Sequence, residues 1–408
     1  MNCRHCGATL SLPLIDLGSA PPSNSYLTQA GLSEPETWYP LRVAVCETCW
    51  LVQTEDFAKR DEFFSEEYAY FSSFSSSWLR HSEAYVAKLT DMLGLTADSL
   101  VVEVAANDGY LLQYVKARGI GALGVEPTTS TAQAARDKGI EIVEDFFGVA
   151  LAQRLVEDGR PADLTAANNV LAHVPDINDF VAGFTTLLKP NGVSTFEFPH
   201  LVNMIEQRQF DTIYHEHYSY LSLTVVQQIF AANGLTVFDV EEIPTHGGSL
   251  RVYAQRTDTG ARPVGDRVAA MLDREHQAGV TTADYYAGLQ VQAEGIVDAL
   301  NAFLIEARRD GKTVAGYGAA AKGNTMLNFA GTRSHLLSWV VDRNPAKAGK
   351  FMPGSRIPIV GEERLRAERP DYVLILPWNL KDEVMEQLAY VREWGGKFVT
   401  AIPDLQIA

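Results

Sequence analysis

The pattern of apolar and polar positions predicts alternating strands and helices through the middle of the chain. The apolar run at residues 100–104 is typical of a strand buried on both faces of a parallel sheet, and a small-residue turn and a helical pattern follow it. Further strands are predicted to end at Glu126, at Asp145 and at Asn168. The segment LLKPNGVSTFEFPH predicts a helix, a turn and a fifth strand, and GGSLRVYAQ predicts a late strand. This order predicts a doubly wound α/β domain.

The same succession of strand, glycine turn and helix recurs between Val314 and Phe329. A strand that ends at Asp342 and the buried segment PDYVLILPW follow, so a second, Rossmann-like α/β unit is predicted. The exposed amides and the dipole of a helix N-terminus favour anions. The residues here that can contact a diphosphate are Gly318, Lys322 and Asn324. The alternative is a docking domain without a ligand.

The part of the chain before the central domain is less regular. The segment PLIDLGSAPPSNSYL is rich in turn residues and predicts a small irregular cap. Apolar spacing predicts a helix from Trp78 to Leu89. An aromatic and serine run precedes this helix, and it either packs against the next domain or forms the wall of a ligand site. Its aromatic residues are Tyr68, Tyr70, Phe71 and Phe74.

All four cysteines lie in the N-terminal part as two C-x2-C pairs, Cys3 with Cys6 and Cys46 with Cys49. The N-terminus shows no apolar signal region, so disulfides are disfavoured and the pairs match a tetrahedral zinc site with four thiolate ligands. Reduced free thiols are the alternative. Such a site has no open coordination position, so we expect the zinc to be structural. His5 is expected to be a bystander.

Length and charge limit the possible classes of function. A chain of 408 residues predicts two to four domains. The expected boundaries are residues 1–70 for a zinc module, 71–260 for the central domain and 261–408 for the C-terminal domain. The net charge of −17 disfavours nucleic acid as a partner, because an acidic surface repels phosphates. No run of about 18 apolar residues occurs, so we expect no membrane span and a cytoplasmic protein. The oligomeric state is left open, and a monomer is one option.

The turn after the first central strand favours S-adenosylmethionine (SAM) over a dinucleotide. It lacks the G-x-G-x-x-G fingerprint for a pyrophosphate, a group that SAM does not have. Glu126 is placed to accept from ribose hydroxyls, and Asp145 to meet the adenine amino group. An ordinary strand–helix unit without a ligand is the alternative. The residues expected to form the SAM site are Glu103, Ala105, Asn107, Gly109, Tyr110, Leu111, Glu126, Pro127, Asp145, Phe146, Asn168 and Asn169.

The segment FDTIYHEHYSYLS, residues 210–222, concentrates ionisable and aromatic side chains after the fifth strand. His215 and His217 are two residues apart, so their side chains would share a face only if the segment were a strand. The helical H-E-x-x-H spacing of zinc sites is absent. A catalytic metal is therefore disfavoured, and a plain surface loop is a second alternative. An acid–base site fits best, on the same rim as Asn169 and His173.

Several motifs resemble, in this order, those of the TDP-ketosugar C-methyltransferases, which make branched deoxysugars for antibiotics. They are the cysteine pairs, YAYFSS, EVAANDGYLL, NNVLAHVPD, FDTIYHEHYSYLS and GYGAAAKGN. The resemblance covers essentially the whole chain. It implies SAM-dependent C-methylation of a TDP-linked 4-ketosugar. The expected position is C3, with C5 as the alternative. The resemblance also implies that the C-terminal domain helps to hold the nucleotide of the substrate. The family usually carries glycine where this chain has Ala105, whose methyl group is expected to crowd the SAM tail slightly without removing binding.

Methylation of carbon in such a substrate needs a base that removes the proton beside the ketone, and donors that stabilise the enolate oxygen. We expect His217 to be the base, with Glu216 orienting it or acting in its place. Tyr214 and His173 are candidate donors, Tyr214 also contacts substrate, and Tyr68 closes over the reacting centre. Two other functions remain open. The imperfect glycine pattern disfavours an NAD-dependent nucleotide-sugar oxidoreductase, and the polar rim cluster disfavours a non-enzymatic zinc scaffold.

Overall fold

The computed structural model describes residues 1–57 and 71–408. Its strands are β1 Leu12–Ala20, β2 Tyr39–Val45, β3 Val52–Thr54, β4 Leu100–Val104, β5 Gly121–Val125, β6 Glu141–Val143, β7 Ala162–Asn168, β8 Leu188–Pro199, β9 Ser219–Tyr220, β10 Leu235–Ile243, β11 Ser249–Arg256, β12 Val314–Tyr317, β13 Val340–Val341, β14 Ile359–Val360, β15 Tyr372–Ile375, β16 Lys397–Thr400 and β17 Gln406–Ile407. Its α-helices are α1 Ser76–Leu93, α2 Leu112–Ala117, α3 Thr129–Asp137, α4 Val149–Glu157, α5 Ile177–Leu187, α6 Leu201–Glu206, α7 Leu223–Ala232, α8 Asp266–Ala278, α9 Ala283–Tyr286, α10 Leu289–Arg309, α11 Ala321–Phe329, α12 Glu363–Glu368 and α13 Lys381–Gln387. The predicted site residue Tyr68 lies outside the described residues, as does Tyr70.

The central sheet has the strand order β10-β11-β8-β7-β4-β5-β6. Strands β4 to β8 pair in parallel, and β11 runs antiparallel between β8 and β10. Val101 and Val102 of β4 are fully buried in two different hydrophobic clusters, because successive side chains of a strand point to opposite faces. The predicted doubly wound α/β domain is confirmed. The carboxyl ends of the parallel strands form one edge, where ligands bind in such folds.

Helix α1 confirms the helical spacing predicted before the central domain. Its N-cap Ser75 accepts a hydrogen bond from the backbone N of Trp78 at 3.2 Å. Its C-cap Gly94 has a φ of 63°, a left-handed conformation that ends helices and that glycine adopts without steric cost. The predicted apolar positions from Trp78 to Leu89 lie inside these limits, and both residues are buried.

Two segments differ from the sequence prediction. The segment predicted to be rich in turns contains β1, which pairs with β2 through two shifts in register. Gly18, with a φ of 74°, lies within one of these shifts, so the turn-forming residues sit in an irregular strand. The turn predicted at residues 190–192 is part of β8, which begins directly after α5 ends at Leu187.

The N-terminal sheet includes a strand from the segment at residues 210–222. The strand order is β1-β2-β3-β9, and β9 pairs antiparallel with β3, with Val52 opposite Tyr220 and Gln53 opposite Ser219. The backbone N of Thr54 donates to the carbonyl of Tyr218 at 3.2 Å and extends this pairing. The candidate site segment is therefore anchored to the cysteine-bearing module as well as to the central sheet.

The C-terminal sheet has the order β14-β13-β12-β15-β16-β17 and is parallel except for β17. Strand β12, the glycine turn and α11 follow one another as predicted, and β13 ends directly before Asp342. The second α/β unit is thus confirmed. In the described parts of the chain, no helix combines the length and the apolar character needed to cross a bilayer.

Candidate active site

The four cysteine sulfurs converge as the sequence predicts. The Sγ atoms of Cys3 and Cys49 lie 3.5 Å apart, those of Cys6 and Cys46 also lie 3.5 Å apart, and all four lie within 4.8 Å of one another. Tetrahedral zinc binds sulfur at about 2.3 Å, which separates the sulfurs by about 3.8 Å, so this cluster fits zinc. Four protein ligands leave no open position, as expected for a structural site.

The zinc site is tied to the strand that pairs with β9. Gln53, in β3, donates through Nε2 to Sγ of Cys3 at 3.3 Å. A hydrogen bond of this kind holds a metal ligand in its orientation. His5 instead lies with Nδ1 2.8 Å from Oδ1 of Asn178, so it is a bystander to the sulfur cluster, as predicted.

The turn after β4 has an unusual backbone. Ala105 has a φ of 59° and Asn107 a φ of 48°, both in the left-handed region that favours glycine. A residue with a Cβ there costs about 1–2 kcal/mol, which explains why the resembling family usually carries glycine at the position of Ala105. Asn169, at the end of β7, has a φ of 55°. Such conformations cluster at ligand sites.

Buried polar groups at this edge are suited to a ligand. Both side-chain polar atoms of Asn168 and Oδ1 of Asn169 have no hydrogen-bond partner among the described residues. Glu126 follows β5, and its carboxylate accepts from the backbone N of Asn107 and of Thr128, both at 2.9 Å. Burial raises the pKa of Glu126, against the effect of these amides. The side chains of Thr128 and Thr131 also hydrogen-bond this carboxylate, so a contact of Glu126 with ribose hydroxyls stays a prediction.

Other predicted SAM residues surround this turn. Glu103 is fully buried in β4, where burial raises its pKa well above the ordinary value. Gly109 has a φ of 75°, and an added Cβ would lie 2.4 Å from Cδ1 of Ile140, so the turn needs glycine. Tyr110 and Leu111 are buried directly before α2. The turn therefore brings backbone, and not bulky side chains, to the sheet edge.

The remaining predicted SAM residues follow β5 and β6. Pro127 lies directly after Glu126. Oδ1 of Asp145 accepts from the backbone N of Phe146 at 2.8 Å, and Oδ2 pairs with Arg154. Asp145 and Phe146 are half-buried. A contact of Asp145 with the adenine amino group stays a prediction.

The segment at residues 210–222 packs aromatic rings around His217. The ring centroids of Tyr214, His173 and Tyr220 lie 3.9, 4.6 and 6.1 Å from that of His217. His173 follows β7, whereas the other residues follow β8. The fold therefore brings the predicted residues His173, Tyr214 and His217 together at the edge that carries Asn169.

The environment of His217 determines where its proton lies. Nδ1 is 2.7 Å from the carbonyl oxygen of Thr212. Because a carbonyl oxygen only accepts, Nδ1 carries the proton and Nε2 keeps its lone pair. Burial lowers the pKa of His217 well below its ordinary value, and the neighbouring His173 and Lys322 lower it further. The ring is therefore neutral at pH 7, with a basic nitrogen at Nε2.

Glu216 is a buried carboxylate with a neutral partner. The side chain is 2% exposed, and its Oε1 and Oε2 accept from Nδ2 of Asn24 at 2.8 and 3.0 Å. Burial raises the pKa of Glu216 to about 7, and the Asn24 amide opposes this rise. The sequence analysis missed Asn24, which lies 192 residues away in the N-terminal module.

A cation from helix α11 of the C-terminal α/β unit also acts on the site. Nζ of Lys322 lies 4.8 Å from the ring centroid of Trp378 and donates to Oδ1 of Asn379 at 3.2 Å. Trp378 donates through Nε1 to the buried Asp211 at 2.8 Å. Burial lowers the pKa of Lys322 and raises that of Asp211 to about 6, and the charge of each residue opposes the shift of the other. Because the Lys322 charge also lowers the pKa of His217, this cation acts on the candidate base.

His246 is a second residue that the sequence analysis missed. It lies after β10 with a φ of 56°, and its ring contacts the Trp78 ring edge-on at 5.2 Å. Burial lowers the pKa of His246 to about 4, with a further contribution from the charge of Lys322. The turn sequence THGGS was the available signal.

The predicted diphosphate residues have separate environments. Asn324 is fully buried and donates through Nδ2 to the carbonyl of Ser23 at 2.7 Å. Gly318 has a φ of 87°, and an added Cβ would lie 2.5 Å from Cδ of Pro377. Lys322 acts on the candidate base electrostatically, as described above. A diphosphate contact of these residues stays a prediction.

Family models match the chain in three successive parts. Residues 3–64 match a zinc binding domain family, residues 78–240 a methyltransferase domain family, and residues 244–403 the family described as C-methyltransferase C-terminal domain. The C-methyltransferase NovU of Streptomyces niveus is 34% identical over 407 residues, which cover 99% of this chain and 96% of that protein. The similarity therefore extends over nearly the whole of both chains.

Solved structures of other methyltransferases are similar to less than half of the chain. Magnesium protoporphyrin IX methyltransferase from Synechocystis PCC 6803 with bound SAM is 16% identical, covers 44% of this chain and 79% of its own, and has a TM-score of 0.34. A SAM-dependent methyltransferase from Clostridium acetobutylicum ATCC 824 is 10% identical, covers 45% and 92%, and has a TM-score of 0.37. Scores this low carry no functional argument.

The three family matches follow one another in the same order along the chain as the modules of the fold. The matched N-terminal part holds four thiolates that fit zinc. The matched methyltransferase part contains the turn after β4 and the side-chain amides of Asn168 and Asn169, which fit SAM. Zinc and SAM are thus the cofactors of this chain. Together with the identity over its full length, these findings show that the protein belongs to the sugar C-methyltransferase family and is a SAM-dependent enzyme.

Proposed function

We propose that this enzyme methylates C3 of a TDP-linked 4-ketodeoxysugar in antibiotic deoxysugar biosynthesis. The observation that carries the proposal is the neutral ring of His217, whose Nδ1 is anchored on Thr212 and whose Nε2 keeps its lone pair. This ring lies beside His173 and Tyr214, at the strand edge where the amides of the buried Asn168 and the half-buried Asn169 fit SAM. A base adjacent to the methyl donor is what methylation of an acidic C–H bond requires.

The reaction begins with removal of the proton beside the ketone. Nε2 of His217 takes the proton from C3, and the electron pair of the C–H bond forms the C3–C4 double bond while the C4 carbonyl becomes an enolate oxygen. Glu216 is the alternative proton acceptor. The predicted role of Glu216 in orienting His217 falls to the Thr212 carbonyl, because that carbonyl holds Nδ1 of the ring. The lowered pKa of His217 keeps Nε2 available over the whole neutral range, because the ring is not protonated there.

The enolate oxygen needs donors that are in position before the charge develops. Tyr214 and His173 lie against the His217 ring and are the candidate donors. Tyr68, a further candidate from the sequence, lies outside the described residues. The positive charge of Lys322 also stabilises the negative charge of the enolate oxygen. Its electrostatic effect reaches this centre, because the same charge lowers the pKa of His217. SAM supplies the electrophilic methyl group that the enolate carbon attacks.

Product analysis tests this proposal directly. We expect a TDP-4-ketodeoxysugar incubated with enzyme and trideuteromethyl SAM to gain one trideuteromethyl group on C3, since C3 and C5 are the carbons beside the C4 ketone. Carbon–carbon correlations in nuclear magnetic resonance spectra locate the group. A methyl group on C5 would correct the position, and a methyl group on oxygen or no transfer would refute the proposal. NAD reduction without transfer would favour the oxidoreductase alternative.

A second prediction concerns the ribose of SAM. Replacing Glu126 by Ala is expected to weaken SAM binding by about 1–3 kcal/mol, the scale of lost hydrogen bonds to a charged group. Part of the loss comes from freeing the Asn107 turn, which Glu126 holds. Calorimetry measures the affinity, with Glu144→Ala as the matched control, because Glu144 is exposed and pairs with Arg136. Equal affinity of the Glu126 variant and the wild type would exclude the ribose contact.

A further inference from the structure

A short segment of the zinc module lies between the candidate active site and the C-terminal sheet. We call residues 23–26 the connector. Nδ2 of Asn24 donates to both oxygens of Glu216, at 2.8 and 3.0 Å, and the hydroxyl of Tyr26 donates to the carbonyl of Ala319 at 2.6 Å. The carbonyl of Ser23 accepts from Asn324. The connector is therefore fixed at both ends to the C-terminal α/β unit, through the turn after β12 and helix α11, and Asn24 bonds Glu216 between these contacts.

The surroundings of the Glu216 carboxylate make its hydrogen bonds from Asn24 important for its ionisation. Within residues 1–57 and 71–408, the Asn24 amide is the side-chain group that bonds the Glu216 carboxylate. Tyr26, whose ring centroid lies 5.0 Å from Nζ of Lys347, interacts with Glu216 electrostatically, and His173 bonds only the Glu216 backbone. No cationic side chain pairs with the carboxylate in these ranges. Removal from water disfavours the ionised carboxylate, so the amide is the group that stabilises it.

The choice of an amide partner has a chemical reason. A Lys or Arg partner would strongly favour the ionised carboxylate and make it a poor proton acceptor, whereas no partner at all would leave it protonated. An amide N–H donates without adding charge, so the carboxylate stays ionisable near pH 7 and keeps acceptor positions for a second contact. Two contacts from one nitrogen also hold both oxygens in place.

We propose that Asn24 is a positioning residue for the reaction, which holds the buried Glu216 carboxylate in place from the zinc module. The inference rests on the proposed role of Glu216 in proton removal. It assigns an active-site contribution to the N-terminal module beyond the binding of zinc. The module then supplies the active site at two places, by the pairing of β3 with β9 and by Asn24.

The expected signature is a shift in pH dependence. Glu216 acts as a carboxylate, so proton exchange at the sugar carbon should rise as pH increases through about 7. Removing the Asn24 donor raises the pKa of Glu216 further, and the rise moves to higher pH. We expect Asn24→Ala to move the midpoint up by about 1–2 pH units, the scale of one hydrogen bond to a charged group. Asn24→Asp keeps the shape but places a like charge beside Glu216, so its midpoint lies higher still.

The experiment follows deuterium uptake from heavy water into a TDP-4-ketodeoxysugar, with S-adenosylhomocysteine in place of SAM, between pH 5 and 10. Zinc content and calorimetric affinity for S-adenosylhomocysteine should match the wild type in both Asn24 variants. Ser25→Ala is the matched control, since Ser25 is the exposed neighbour, and its midpoint should not move. An unchanged midpoint in Asn24→Ala and Asn24→Asp overturns the inference.

Glu216→Gln separates this inference from the proposed function. If this variant exchanges at the wild-type rate with the same midpoint, Glu216 has no part in proton removal, and its proposed role fails together with the inference. If it abolishes the pH-dependent rise while the Asn24 variants leave the midpoint in place, the role of Glu216 stands and the positioning role of Asn24 alone fails.

Discussion

Replacing His217 by asparagine is expected to lower turnover by about 10²–10⁴-fold, the usual contribution of one acid–base group. Asparagine can still donate to the Thr212 carbonyl, so the loop contact is kept while the basic Nε2 is lost. SAM binding should be unchanged, because the predicted SAM residues lie in β4 and β7 and in the turns after β4, β5, β6 and β7. Steady-state kinetics and calorimetry measure the two quantities.

His215→Asn provides the matched control from the same loop. Nε2 of His215 lies 3.2 Å from the carbonyls of both Tyr39 and Pro40, so this histidine faces the zinc module. Its replacement should reduce turnover far less than that of His217. Because Glu216 can partly substitute as base, the double variant at positions 216 and 217 should lose more than either single variant. Deuterium exchange by the double variant at the wild-type rate would show that the base lies elsewhere.

Removing one zinc ligand is expected to have the largest effect on stability. Cys46 is fully buried at the end of β2, and Cys46→Ser should release the metal, since structural zinc contributes on the order of 10–16 kcal/mol in small modules. The N-terminal sheet then loses its order, and β9 loses its partner β3. A displacement of about 1 Å in reacting groups costs about 10²-fold, so exchange should fall by at least this factor.

Metal analysis, thermal unfolding and the exchange assay measure this result. Wild-type protein should contain about one zinc per chain, as four ligands specify a single ion. His5→Ala is the matched control, because His5 lies between the zinc ligands Cys3 and Cys6 in sequence but contacts Asn178. This variant should retain zinc and activity. A metal-free Cys46→Ser protein that unfolds and exchanges like the wild type would contradict the structural role of the metal.

Local patterns were sufficient for most of the central and C-terminal sheets. A buried parallel strand is a nearly continuous apolar run, so β4 was recognised. The acid after β5 was located at Glu126 from the order of strand, turn, helix and strand. The cysteine pairs were recognised because zinc ligands follow a fixed spacing. The strand β1 was missed because turn-forming residues such as Gly18 occur within its bulges, where local propensity and tertiary pairing disagree.

The sequence alone determined the residue types of the site, the zinc ligands and the family, because motifs of adjacent residues carry them. Only the tertiary structure decided which neutral or charged group faces each of these residues. Asn24 reaches Glu216 across 192 residues and Trp378 reaches Asp211 across 167, and neither contact leaves a periodic signal in the chain. Burial and these distant partners control protonation, so the neutral ring of His217 and the raised pKa of Glu216 arise only when the modules pack together.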